Sequence, residues 1–315
     1  MGVMTSLLPT RADILSTAAR IVLHIRHTPV LTVDAADFGL SGAPISFKLE
    51  FLQHSGTFKA RGAFNNLLSR AKPGQGVVAA SGGNHGAAVA YAAQKLGHPA
   101  HIFVPTISSP AKIERIRSYG AEIVVGGASY VDALAASREW VKAHGGLELH
   151  AYNSVETVAG QGTMAAELAA DVPELDTVLI AVGGGGLIAG AAAYYGGDAK
   201  LIGVEPSTAP TLHHALAAGE PVDVPVSGVA ADSLGARRIG ATCFALREHI
   251  DRAMLVPDEA IIAAQKALWS VLRIVAEPGG AAAFAALLSG AYRPAADERV
   301  CVVLCGANTA PGSVG

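Results

Sequence analysis

Cysteine is scarce, charge is nearly balanced, and no long apolar run is present. The 315 residues hold three cysteines, Cys243, Cys301 and Cys305. They are too few and too late in the chain for a disulfide framework, and their spacing fits no zinc knuckle, so reduced thiols are expected. Lysine and arginine total 23 against 26 aspartates and glutamates, a formal net charge of -3. No basic stripe is present either, which argues against nucleic acid as a partner. Hydrophobic residues make up 51% of the chain, yet no stretch of about 18 consecutive apolar residues could span a bilayer. Met1–Arg20 lacks the basic cluster, apolar core and small-residue cleavage site of a secretory signal. There is no repeat and no low-complexity tail. These absences leave a soluble, cytoplasmic protein that handles a small molecule, long enough for one large domain or two moderate ones.

What is present is an alternation of short β-branched runs with helical stretches, the pattern of an α/β protein with a parallel sheet. Strands are predicted at Ile45–Leu49, Val77–Ala80, His101–Val104, Glu122–Val125, Thr177–Val182, Leu201–Glu205 and Val300–Leu304. Helices are predicted at Asn84–Leu96, Pro110–Tyr119 and Tyr130–Ala143, with Gly97 and Gly120 where helices commonly stop. Pro221–Ile239 is rich in Pro, Gly, Val and Ser without clear periodicity, and reads as a long functional loop near the site.

Four segments adjoin predicted strands, where open α/β sheets bind ligands. In Ser55-Gly56-Thr57-Phe58-Lys59-Ala60-Arg61-Gly62-Ala63, Lys59 could be an ordinary exposed helix residue. Beside the apolar Phe58, however, a lysine can lose its proton and attack a carbonyl as a neutral amine. Ser81-Gly82-Gly83-Asn84-His85-Gly86 could be a polar helix cap. The same backbone N–H groups can hold a carboxylate, and His85 is given no chemistry of its own. Gly183-Gly184-Gly185-Gly186-Leu187 bares the backbone between a strand and a helix, a setting suited to phosphate. Gly184, Gly186 and Ala189 also satisfy the dinucleotide fingerprint, with Glu205 at the spacing of a ribose contact, so a nicotinamide-dependent enzyme stays open here. Cys305 ends the last predicted strand, where it is either buried filler or a ligand contact.

Together these motifs, with Ala159-Gly160-Gln161-Gly162-Thr163, resemble the fold-type II pyridoxal phosphate enzymes, specifically the serine and threonine dehydratase branch that also contains serine racemase. The resemblance covers the chain from about Ala12 onward. It implies two open, mostly parallel twisted sheets with flanking helices, the tryptophan synthase β-like arrangement. Residues 1–72 and 151–315 would form a large cofactor-binding domain and 73–150 a small mobile one, in a homodimer.

By the same resemblance the cofactor is pyridoxal 5'-phosphate and Lys59 forms the Schiff base. Phe58 packs on the ring, Asn84 contacts its 3-hydroxyl, Gly183, Gly184, Gly185, Gly186 and Leu187 hold the phosphate, and Cys305 faces the pyridine nitrogen. Ser81, Gly82, Gly83, Asn84 and His85 bind the substrate carboxylate. The implied reaction is β-elimination from a small β-hydroxy amino acid such as L-threonine or L-serine. Lys59 removes the Cα proton, the hydroxyl leaves as water with a proton from the cofactor phosphate, and a 2-oxo acid and ammonia result. A neutral Cys305 thiol would leave the ring a weaker electron sink, favouring prompt elimination.

Departures from the branch pattern modify these expectations. Of the cation ligands of eukaryotic-type members only Glu205 is retained. Thr211 stands where an aspartate is expected, so no metal site is assigned. His150-Ala151-Tyr152 replaces a His-Pro pattern, and Tyr152 reshapes the pocket. The chain ends soon after its last core strand, leaving no room for a regulatory domain. Racemisation, an alternative alongside β-replacement, needs acid-base groups on both faces. In serine racemases the second is a serine two residues before the loop asparagine, and here that position is Gly82. Introducing serine at Gly82 is expected to increase racemisation.

Overall fold

The computed structural model describes residues 8–106, 108, 110–310 and 312. Helix α1 (Arg11–Ile21) precedes strands β1 (Val30–Val33) and β2 (Ile45–Lys48), which lead into α2 (Lys59–Arg70). A βα series follows: β3 (Val77–Ala80), α3 (Asn84–Leu96), β4 (Ala100–Val104), α4 (Pro110–Ser118), β5 (Glu122–Val125), α5 (Tyr130–His144) and β6 (Leu147–Glu148). The rest of the chain comprises α6 (Val155–Asp171), β7 (Thr177–Ala181), α7 (Gly186–Tyr195), β8 (Lys200–Pro206), α8 (Thr211–Ala218), α9 (Ala241–Ala245), β9 (Arg252–Val256), α10 (Asp258–Leu272), α11 (Pro278–Leu288) and β10 (Val300–Val303).

Two sheets result. One has six strands in the order β1-β2-β10-β7-β8-β9, parallel except for the β1–β2 pair, and the other has four parallel strands ordered β5-β4-β3-β6. Every residue of β3, β7 and β10 is buried, as expected of parallel strands covered by helices on both faces. The anticipated strands are all present within one or two residues. Strands β1, β6 and β9 were not anticipated: β1 and β9 are partly exposed sheet edges, and β6 has only two residues. Cys243, Cys301 and Cys305 are buried free thiols. Among the described residues no helix is long and apolar enough to cross a membrane.

The Ala159–Thr163 segment acquires a packing role. It lies within α6, which is wedged between α2 and α7. A Cβ on Gly160 would stand 2.6 Å from the Gly62 Cα, and one on Gly162 would stand 2.9 Å from the Gly190 carbonyl oxygen. Glycine alone lets the three backbones approach so closely. This contact sets the spacing between the start of α2, where Lys59 sits, and the start of α7, where the glycine loop sits.

Candidate active site

A cavity lies where the ends of β7 and β10 meet the starts of α2, α3, α7 and α11. Lys59 is delivered to it by a chain of backbone contacts. Ser55 (φ 60) and Gly56 (φ 73) turn the chain in left-handed conformations, after which the Phe58 N–H donates to the Cys305 carbonyl at 3.2 Å. The Lys59 Nζ donates to the Ala151 carbonyl at 2.8 Å and lies 5.0 Å from the centre of the Phe58 ring. Burial disfavours the ammonium and lowers its pKa to about 8, although the neighbouring Cys305 and Glu277 act in the opposite direction. The lowered basicity raises the share of neutral amine, the form that a nucleophile and proton acceptor needs.

The glycine loop forms another wall. Gly185 is left-handed at φ 85, and a Cβ there would lie 2.5 Å from the Cys243 sulfur. Side chains on Gly184 or Gly186 would collide with Tyr152. The bare loop opens α7, whose first N–H groups lack intrahelical partners and favour an anion.

Cys305 donates its thiol hydrogen to the Gly279 carbonyl at 3.4 Å. Burial pushes its pKa up, so it remains a neutral thiol. Phe58, Lys59, Asn84, Gly183, Gly184, Gly185, Gly186, Leu187 and Cys305 all line the same cavity.

The carboxylate-loop residues divide differently. Only Asn84 reaches the cavity wall. The Ser81 hydroxyl accepts the Gly83 N–H at 3.2 Å. The His85 Nε2 bonds the Leu149 carbonyl at 2.9 Å, and burial followed by the Lys59 charge lowers its pKa to about 3, so it stays neutral. The side-chain space beside Gly82 is taken by Ser108, from the loop between β4 and α4. A serine introduced at Gly82 alone would strike that hydroxyl, so the anticipated test needs Ser108 shortened as well.

Ser233, Leu234, Glu277 and Gly279, all in the cavity wall, escaped the motif reading. Ser233 and Leu234 come from the Pro221–Ile239 segment, which supplies part of the site. Glu277 is buried and accepts from the Asn84 Nδ2 at 2.6 Å, while the other end of that amide accepts from Asn308. Burial pushes the Glu277 carboxyl up, opposed by the Asn84 bond and the charges of Lys112 and Arg115. A signal for it existed: an acidic residue directly before Pro278-Gly279-Gly280, with proline at the first helical position.

Glu205 is fully buried and accepts bonds from the Thr211 hydroxyl at 2.9 Å and from the Leu212 and His213 N–H groups at 2.7 and 2.8 Å. Its oxygens serve the start of α8, which leaves them unavailable to a ribose. Burial raises its pKa from 4.5 to about 7 against those three bonds. The folded protein therefore holds a proton that the unfolded chain releases, and the associated stability, complete below 4.5, is lost as pH rises through about 7. Glu205→Gln protein should accordingly show a flatter decline in unfolding free energy between pH 4.5 and about 7. Parallel denaturation curves for the two proteins would contradict this assignment.

Known proteins share both the sequence and the fold. The chain is 38% identical to a phenylserine dehydratase of Ralstonia pickettii over 97% of its own length and 95% of that protein's. It is 37% identical to an L-threonine ammonia-lyase of Geobacter sulfurreducens, over 83% of this chain and 67% of that one. The structure of maize serine racemase superposes with a TM-score of 0.91 at 32% identity, covering 98% of this chain and 96% of the other. Residues 21–306 match the pyridoxal-phosphate dependent enzyme family, and the chain belongs to that family.

Proposed function

We propose that this enzyme eliminates water from a small β-hydroxy amino acid with an uncharged side chain, L-threonine or L-serine, and releases a 2-oxo acid and ammonia. The residues fit the cofactor. A half-buried lysine of lowered basicity, a glycine loop with no room for side chains at Gly184 and Gly185, and a neutral thiol share one cavity. When bound, pyridoxal phosphate supplies the electron sink that makes the Cα–H bond acidic.

In this reading Lys59 carries the cofactor and later accepts the Cα proton. Phe58 packs on the ring, Asn84, steered by Glu277, contacts the 3-hydroxyl, and Cys305 faces the ring nitrogen. Gly183 to Gly186 and Leu187 hold the phosphate. The loop from Ser81 to His85 holds the substrate carboxylate. Residues 73–150 form a small domain that moves against the rest, supported by their separate sheet. The enzyme works in the cytoplasm as a homodimer. Its three thiols are unpaired, and Leu15, Val22 and Leu23 leave an exposed apolar strip at α1 that a second copy would cover.

The observation that carries the reading is the Lys59 amine, half-buried in the cavity wall with its pKa lowered to about 8. The relatives' names, dehydratase and ammonia-lyase, agree with it. A second reading, racemisation, has one observation in its favour: the Ser108 hydroxyl beside Gly82 could serve the opposite face. Both are tested by incubating the holoenzyme with β-hydroxy amino acids, measuring 2-oxo acid, and resolving the residual substrate by chiral chromatography. Elimination predicts keto acid with little D-isomer. Abundant D-serine that disappears in Ser108→Ala protein would establish racemisation instead.

A further inference from the structure

Lys112, on α4, forms an ion pair with Asp232, on the loop before α9. The pair joins the side of the molecule built on the four-stranded sheet to the side built on the six-stranded sheet. The lysine side chain is 22% exposed and the aspartate 72%, so the cation lies inside and its partner outside. On its inner side Lys112 acts electrostatically on Glu277, a cavity-wall residue. Ser233 and Leu234, which follow Asp232 in sequence, also line the cavity. The Asp232 carbonyl oxygen lies 3.7 Å from where a Cβ on Gly83 would be, one residue from Asn84. The pair therefore stands at the edge of the cavity beside Asn84.

The charged residues in the cavity wall are Lys59 and Glu277. Lys59 is committed to the cofactor in the reading above, on which this inference rests. A substrate carrying a second carboxylate, such as 3-hydroxyaspartate, would need another cation. Arg115 is occupied by the Ser55 carbonyl at 3.0 Å. Lys112 is occupied by Asp232, whose own charge repels the incoming group. A carboxylate withdrawn from water without a partner is strongly disfavoured.

We propose that the Lys112–Asp232 pair sets substrate specificity by charge. With Asp232 holding Lys112, the site accepts amino acids with an uncharged β-substituent. Without the Asp232 charge, the same lysine becomes the receptor for a second carboxylate. Asp232→Asn keeps the shape of the loop and frees the ammonium. Specificity here comes from a repulsive element as much as from an attractive one.

The experiment compares unmodified holoenzyme, Asp232→Asn, and the double variant Asp232→Asn with Lys112→Gln. For each, kcat/KM is measured on L-threonine and L-threo-3-hydroxyaspartate. Unmodified enzyme should prefer threonine. Asp232→Asn should raise the hydroxyaspartate-to-threonine ratio about tenfold, mainly through KM, with the gain reduced by added salt. The double variant should return the ratio to its starting value. An unchanged ratio in Asp232→Asn, a gain that survives in the double variant, or unmodified enzyme that takes both substrates equally would each overturn the proposal.

A binding measurement separates this failure from failure of the elimination reading. Titration with L-aspartate and L-alanine, which carry no β-hydroxyl to eliminate, is followed by the visible band of the bound cofactor. A rise in relative aspartate affinity on Asp232→Asn supports the gate even if no 2-oxo acid ever forms, and no rise refutes it.

Discussion

Lys59→Ala protein is expected to bind pyridoxal phosphate without a covalent bond, to lose the band that borohydride abolishes, and to lose turnover by at least about 10³-fold. The loss combines two roles. In the proposed reading Lys59 holds the cofactor and its freed amine is the base on the reacting face. Other lysines are not placed to substitute. The Lys48 ammonium is held by the Thr28 carbonyl at 2.7 Å, Glu167 at 3.1 Å and Asp171 at 3.2 Å. Lys112 is held by Asp232 at the cavity edge. Borohydride reduction of the unmodified holoenzyme followed by peptide mass analysis should place the cofactor on Lys59. An adduct on Lys48 or Lys112, or full activity in Lys59→Ala, would refute the assignment.

The parts of the site readable in advance share one property: each is a local motif at the end of a strand. Lys59 follows β2 after two short 3-10 turns, Gly183 to Gly186 follow β7, and Cys305 follows β10. Their positions in a parallel sheet follow from topology, because strand ends on one side converge. The central strands were equally readable, since burial on both faces writes a continuous apolar run such as Thr177–Ala181. Strands β1 and β9 are also largely apolar in sequence, yet as sheet edges they bury only part of each strand.

Interactions between distant segments could not be read. Glu277 reaches Asn84 across 193 residues of sequence, and its significance comes from burial in the cavity wall. The sequence places Gly82 where serine racemases carry a serine, but says nothing of what stands beside it. Ser108, 26 positions further along the chain, fills that space. A motif specifies which residue stands at a position, whereas the occupant of the neighbouring space is decided by loops from elsewhere.

Arg61, two residues after Lys59, carries the largest expected effect on stability. Its side chain is fully buried, with Nε and Nη2 donating to the two Glu50 oxygens at 2.8 and 2.7 Å. Nη1 and Nη2 each donate to Glu167 at 2.7 Å. The fork thereby ties α2 to the turn after β2 and to α6, the frame that aims Lys59. Glu50 is also fully buried, so Arg61→Met would leave it without its cation at a cost of about 3–5 kcal/mol. Arg61→Lys should recover only part of this, because an ammonium cannot reproduce two forked contacts at once.

The orphaned charge, rather than lost packing, is the main cost, so adding Glu50→Gln to Arg61→Met should restore a substantial fraction of the stability. The pH dependence gives an independent check. Burial pushes Glu167 up, but the Arg61 and Lys48 interactions outweigh it and hold its pKa below 4.5. That contribution is present above 4.5 and lost as pH falls through the lowered value, so Arg61→Met should show a weaker acid-induced loss of stability. Urea denaturation of the three variants and the unmodified protein decides the matter. A midpoint for Arg61→Met equal to that of the unmodified protein would mean that the buried fork does not hold the lysine-bearing helix.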